Sequence, residues 1–129
     1  MKPYAIFCLS CVAGVLLAAE WPKEASIQHA YLEVILANKT LEDVDEAGVY
    51  FGKFPCTKGI IGAGYSGGYL GWQQPVTTNV VVKWRNARGV RKEQAIGLAN
   101  VYDPKVDGAL TFTIGATNVT VAFKKIDRR

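Results

Sequence analysis

Histidine is almost missing from this 129-residue chain and cysteine is scarce: His29 stands alone, and Cys8, Cys11 and Cys56 are the three cysteines. Two of those cysteines sit in an apolar N-terminal run, so beyond residue 19 only Cys56 remains. One histidine and one cysteine do not supply the three or four ligands of a zinc site, and a single cysteine makes no internal disulfide. Stability has to come from packing, with Cys56 as a small buried or loop thiol. The acidic group Glu42, Asp43, Asp45 and Glu46 lacks the spacing and the glycine of an EF-hand, and reads as a solvated acidic connection. The glycines between 59 and 71 lack the Walker lysine and the following helix that phosphate binding uses. No cofactor and no metal is expected.

What is present begins with a leader. Met1-Lys2-Pro3-Tyr4 carries one positive charge, Ala5 to Ala19 carries none, and Glu20-Trp21-Pro22-Lys23-Glu24 is polar. An apolar run too short to cross about 30 Å of hydrocarbon comfortably, ending in small residues, is the pattern of a secretory signal peptide cleaved after Ala19. An uncleaved anchor and a lipid on Cys11 are the alternatives; the run is short for the first and continues too far past Cys11 for the second. Residues 20–129 are then one exported domain, periplasmic or extracellular, with no transmembrane segment once the leader is removed.

The remaining chain reads as strands. In Thr77 to Leu98, Val80, Val82 and Trp84 alternate with Val81, Lys83 and Arg85, so one set enters a core and the other meets water. Asn86 to Gly89 reverses the chain and pairs Val90 to Leu98 with the strand before it. A second hairpin is predicted where Leu110, Phe112 and Ile114 face inward, Gly115 to Asn118 turns, and Val119, Val121 and Phe123 return on the core side. Ser26 to Leu36 fits either a helix or a strand and is assigned as strand, because a sheet needs partners. Gly48 to Phe54 is β-prone, broken by Pro55-Cys56-Thr57; short strands at Ile60 to Ala63 and Tyr69 to Trp72 flank a turn at Ser66-Gly67-Gly68. The fold class expected is all-β: an antiparallel β-sandwich, immunoglobulin-like in architecture only, since the Cys, Trp, Cys spacing of true immunoglobulin domains is absent. An α+β domain and an open β-barrel are the alternatives.

Motifs that suggest chemistry are weak. Gly64-Tyr65-Ser66-Gly67-Gly68 matches the nucleophile elbow, yet a poor helix former follows it and no histidine comes later. The chain is therefore read as not an enzyme. Lys83, Arg85, Arg88, Arg91 and Lys92 make the central hairpin basic, whereas residues 20–46 are mostly acidic. Two opposite segments lying side by side explain this asymmetry better than a partner surface, and a charged strand face that keeps the sheet soluble explains the basic hairpin better than nucleic-acid binding, so no nucleic acid is expected. Asn38-Lys39-Thr40 and Asn118-Val119-Thr120 match the glycan acceptor pattern, with chance occurrence as the default.

The layout of leader, glycine-rich middle, Val-x-Val-x-Trp-Arg strand into a glycine-turned hairpin, and final Leu-Thr-Phe-Thr-Ile hairpin resembles small exported bacterial β-sandwich proteins of unknown function. That resemblance implies a fold and no activity. The function expected is a noncatalytic binding module whose partner is another protein or an anionic envelope surface. Tyr65, Tyr69, Trp72, Arg85 and Arg91 form the contact set, since aromatics in a glycine-rich loop and arginines anchor interfaces. An inhibitor or immunity protein for a toxin or hydrolase is the alternative.

Overall fold

The computed structural model describes residues 29–128, so the leader expected at 1–19 lies outside the described residues. Among them are eight strands and no helix: β1 Leu32–Asn38, β2 Val44–Phe51, β3 Phe54–Ile61, β4 Ser66–Leu70, β5 Asn79–Arg85, β6 Arg91–Gly97, β7 Gly108–Ile114 and β8 Val119–Lys125. Two four-stranded sheets, ordered β4-β1-β7-β8 and β3-β2-β5-β6, pack face to face as a β-sandwich.

Alternation decides which face is inside. Leu32, Val34 and Leu36 of β1 and Leu110, Phe112 and Ile114 of β7 are fully buried, and across from them lie Val49, Phe51, Val80 and Val82. Rings of Phe51 and Phe112 meet edge to face at 6.4 Å and join the two layers. Burying each such side chain stabilises the fold by roughly 1.5–3 kcal/mol, and these residues form one contiguous core.

Both hairpins predicted from alternation are present. The β5–β6 turn is closed by Asn86, whose N–H donates to Val90 O at 2.9 Å and whose Oδ1 accepts from Arg88 N and Val90 N, while Gly89 takes φ 82°. Elsewhere the strand limits move. β2 starts at Val44, inside the segment read as an acidic connection, and Pro55 and Cys56 lie within β3 rather than ending a strand. Proline is tolerated because β3 is the outer strand of its sheet, and the turn before it falls at Gly52, with φ 62°. Ser66-Gly67-Gly68 is strand, not turn. Its glycines lie under larger neighbours, since a Cβ on Gly67 would meet Lys58 Cε at 3.2 Å and one on Gly68 would meet Ile35 Cγ1 at 3.5 Å. The reversal occurs at Gly64, with φ 81°, and carries the chain from one sheet to the other.

One pairing departs from the antiparallel expectation: β1 and β7 run parallel in full register from Leu32↔Gly108 to Asn38↔Ile114. No hairpin links these strands, so their direction is set by the path of the whole chain. The two seams between sheets are closed by side chains. Gln94 pairs with the main chain of Val119 between β6 and β8, and Lys58 Nζ donates to Gly68 O at 2.8 Å between β3 and β4. No strand pairing crosses either seam among the described residues, which makes this a sandwich and not a barrel.

The two outer faces differ in kind. On the second sheet, Lys83 lies opposite Glu93, Arg85 opposite Arg91 and Asp45, and Tyr50 opposite Val81. On the first sheet, Ser66, Ala37, Thr113 and Thr120 form one row across the strands. Gly68, Ile35, Thr111 and Ala122 form the next. Leu70, Glu33, Ala109 and Lys124 form the last, and in these three rows only Glu33 and Lys124 carry charge.

Candidate functional site

β1, β3, β5 and β7 finish at the end of the sandwich where β2, β4, β6 and β8 begin. Residues 39–43, 62–65, 86–90 and 115–118 make up that end. Asn38, the last residue of β1, has no exposed surface and holds two of the loops together. Its Nδ2 donates to Ile61 O at 3.0 Å and Glu42 O at 2.9 Å, and its Oδ1 accepts from Thr40 N at 2.9 Å and Thr40 Oγ1 at 2.6 Å. Its main-chain N–H donates to Tyr65 O, and its carbonyl accepts from Gly64 N. A buried amide with every group paired fixes its surroundings. Asp43 adds a further tie by accepting the Ala63 N–H at 3.0 Å. With both amide hydrogens used inside the fold, Asn38 is not available as a glycan acceptor in the folded chain; Asn118, in the exposed 115–118 turn, is open to solvent.

On this rigid base stand several large apolar side chains in water. Leu41 is 95% exposed, Tyr65 73%, and Ile60 and Val90 are also open. They come from separate segments, so their meeting at one end is a product of topology. Leu41, Ile60 and Val90 were not singled out by sequence reading; the one available signal was Leu41 standing apolar inside a polar, acidic run.

Two grooves adjoin there. The larger, of about 500 Å³, runs between the Thr40–Leu41 loop and the turns at Arg88 and Ala116, with Trp84 in its wall. The smaller, of about 290 Å³, lies between Ile60 and the Arg85–Gly89 segment. Asp43 and Val44 line both. Trp84 is half-buried against the core, as its register implied.

Arg85 and Arg91 do not stand free. Arg85 Nη2 donates to Asp45 Oδ2 at 2.8 Å and lies 3.7 Å from Glu46 Oε2, and Arg91 Nη2 is 3.4 Å from Glu46 Oε1. The acidic segment and the basic hairpin are thus adjacent strands that offset each other, the reading favoured from the sequence. A register shift between Asp45 and Gly48, with Glu46 at φ 50°, marks a β-bulge beside this pair of arginines. The hydrogen bond from Arg85 holds the Asp45 carboxyl below its ordinary range, and the same bond raises the guanidinium. Lys83 Nζ sits 4.8 Å from the Tyr50 ring centroid, a cation–π contact.

Of the expected contact set, Tyr65, Arg85 and Arg91 share the loop end, whereas Tyr69 and Trp72 do not. Trp72 is only 5% exposed and belongs to the core, which corrects its place among the contacts. Its ring lies 5.3 Å from that of Phe51 and meets Tyr69 edge to face at 5.3 Å, and its Nε1 has no hydrogen-bond partner. A glycine-rich setting does not keep this aromatic exposed, because its ring packs on Phe51 of β2. Cys56 is buried, and burial raises its thiol above the usual range despite Lys58 nearby. Ser66 opens β4 at the loop end, while His29 bonds Ala30 O and Gln74 O before the start of β1, at the opposite end.

No family model matches this chain, and no curated protein does. An NMR structure of a protein from Eubacterium rectale is similar in chain path, with a TM-score of 0.47 and 13% sequence identity, covering 76% of this chain and 90% of that one.

Proposed function

We propose that this chain is an exported, noncatalytic binding module that engages another protein through its loop end. The observation that carries the reading is that Leu41, Ile60, Tyr65 and Val90 all stand in water at one end of the sandwich, with Leu41 and Tyr65 on the two loops that the buried Asn38 network ties together. Large apolar side chains on a preorganised surface lose little conformational freedom on contact and release ordered water, the conditions under which a few residues dominate an interface. The groove walled by Trp84 offers a recess for a partner's side chain beside Leu41. Arg85 and Arg91 serve in this reading as a paired rim that sets orientation, and their neutralisation by Asp45 and Glu46 favours a protein partner over an anionic envelope surface. The separation of Ser66 from His29 by the length of β1 supports the noncatalytic part. Export rests on the Lys2 to Ala19 leader pattern.

Affinity capture from an envelope extract of the producing cells tests it, with the wild-type chain, Leu41→Asp and Tyr65→Asp as baits. The expected result is a defined protein retained by the wild type and lost from both variants. Equal retention by all three contradicts the assignment of the site.

A further inference from the structure

The outer face of the β4-β1-β7-β8 sheet has a composition that water-facing sheets rarely carry. Its central row is Gly68, Ile35, Thr111 and Ala122, and the row beside it holds Ser66, Ala37, Thr113 and Thr120. Solvent faces normally hold interspersed charges of both signs, as the opposite sheet does with Lys83, Arg85, Arg91, Asp45 and Glu93. Depletion of charge marks the fully buried centre of an interface. The surface is flat as well, because Ile35 lies against Gly68, with 3.5 Å from Ile35 Cγ1 to where a Cβ on that glycine would sit.

We infer that this face is a self-association surface, and that its occupant is the same face of a second copy of the chain. The two charges within the three rows argue for a copy. Glu33 and Lys124 lie in one row, on strands separated by β7. A twofold axis parallel to the strands, in the plane between two stacked sheets, turns each row onto itself and reverses the strand order. The partner's β8 then lies over β4, so the stem of the partner's Lys124 covers the exposed Leu70 and its ammonium reaches Glu33 one strand away; the symmetry repeats the contact. Every other position in the three rows is uncharged and meets an uncharged one; beyond them Tyr31 donates to Glu33 Oε2 at 3.1 Å and carries Arg128 on its ring at 4.0 Å, which bounds the patch on that side. With strands about 4.8 Å apart and alternate residues about 6.7 Å apart, the three rows span roughly 400 Å² per copy, or roughly 800 Å² buried in total. A permanent dimer buries about 1,200–2,000 Å² or more, so the association is reversible and dependent on concentration. It leaves the loop end of both copies free.

Sedimentation velocity of the purified protein over a dilution series tests the inference, with Glu33→Lys, Lys124→Glu and the double exchange E33K/K124E. The wild type is expected to shift from monomer to dimer with rising concentration. Each single reversal sets like charges together and is expected to weaken the dimer about tenfold or more, and the double exchange is expected to restore it. Far-ultraviolet circular dichroism confirms that all four chains are folded. A wild type that stays monomeric at every concentration overturns the inference, as does a dimer indifferent to the single reversals or one that the double exchange fails to restore.

Discussion

Gln94 and Val119 are joined twice. The Gln94 side-chain amide donates to Val119 O at 3.0 Å and its Oε1 accepts the Val119 N–H at 2.8 Å, so one side chain on β6 does for β8 what a neighbouring strand would do. This is the device that closes one edge of the sandwich, and it also satisfies groups that an edge strand would otherwise leave unpaired. Replacement of Gln94 by Leu leaves both Val119 groups half-buried without partners. A loss of about 1–3 kcal/mol is expected, read as a fall in Tm of roughly 4–8 °C per kcal/mol, with the fold retained by circular dichroism. A melting temperature unchanged by the substitution refutes the seam's contribution.

Asn38→Ala removes the amide on which the 39–43 and 62–65 loops depend. Ile61 O and Thr40 N lose the Asn38 side chain together, and Glu42 O keeps only Thr40 Oγ1. The expected cost is about 3 kcal/mol, measured by urea unfolding. Amide exchange should accelerate first at Thr40 and at Ala63, ahead of the β7–β8 hairpin.

Trp72 separates ring packing from its polar atom. Trp72→Phe keeps an aromatic ring against Phe51 and Tyr69 while removing an N–H that has no partner, so its cost is expected to be small, under about 1.5 kcal/mol. Trp72→Ala opens a cavity and is expected to cost about 3–5 kcal/mol. Equal losses in the two variants, by chemical denaturation, would show that the indole nitrogen is bonded in solution.

Titration gives two opposite signs. Asp45, lowered chiefly by the Arg85 hydrogen bond, contributes stability that is present above the unfolded carboxyl value near 3.9 and is lost as pH falls through its lower folded value. Asp45→Asn should therefore flatten the acid limb of a Tm against pH curve. Tyr102, packed edge to face on Phe123 at 5.3 Å, is pushed up to about 12 by burial, with the Asp103 charge adding to the effect. Its neutral form is favoured in the fold, so stability falls as pH rises from about 10 toward 12, and its phenolate absorbance should appear only near the upper end of that range.

The hairpins β5–β6 and β7–β8 were legible in the sequence because each joins two unambiguous signals, a period of two in Val and Phe positions and a turn holding Asn86 and Gly89 or Gly115 and Asn118. β3 and β4 were not, since glycine and proline there answer to neighbours distant in the chain. Gly67 makes room for Lys58, Gly68 lies beneath Ile35, and Pro55 is allowed by an edge that only the sheet order reveals. The parallel pairing of β1 with β7 was equally invisible, because no local turn records it. At the candidate site, the offsetting charges of the acidic and basic segments were anticipated, yet which of them pair depends on a bulge at Glu46. Trp72 and Tyr65 occupy the same glycine-rich stretch and have opposite exposures, a difference that composition does not carry: Tyr65 precedes β4 at the loop end, and Trp72 follows it and packs on Phe51.

The most direct test of the loop end as the binding surface is photo-cross-linking from single positions in producing cells. A photoreactive side chain placed at residue 41 should yield a discrete covalent adduct with another protein, and the same group at Lys53, exposed in the turn at the opposite end, should yield none. An adduct formed from position 53 and absent from position 41 would contradict the assignment.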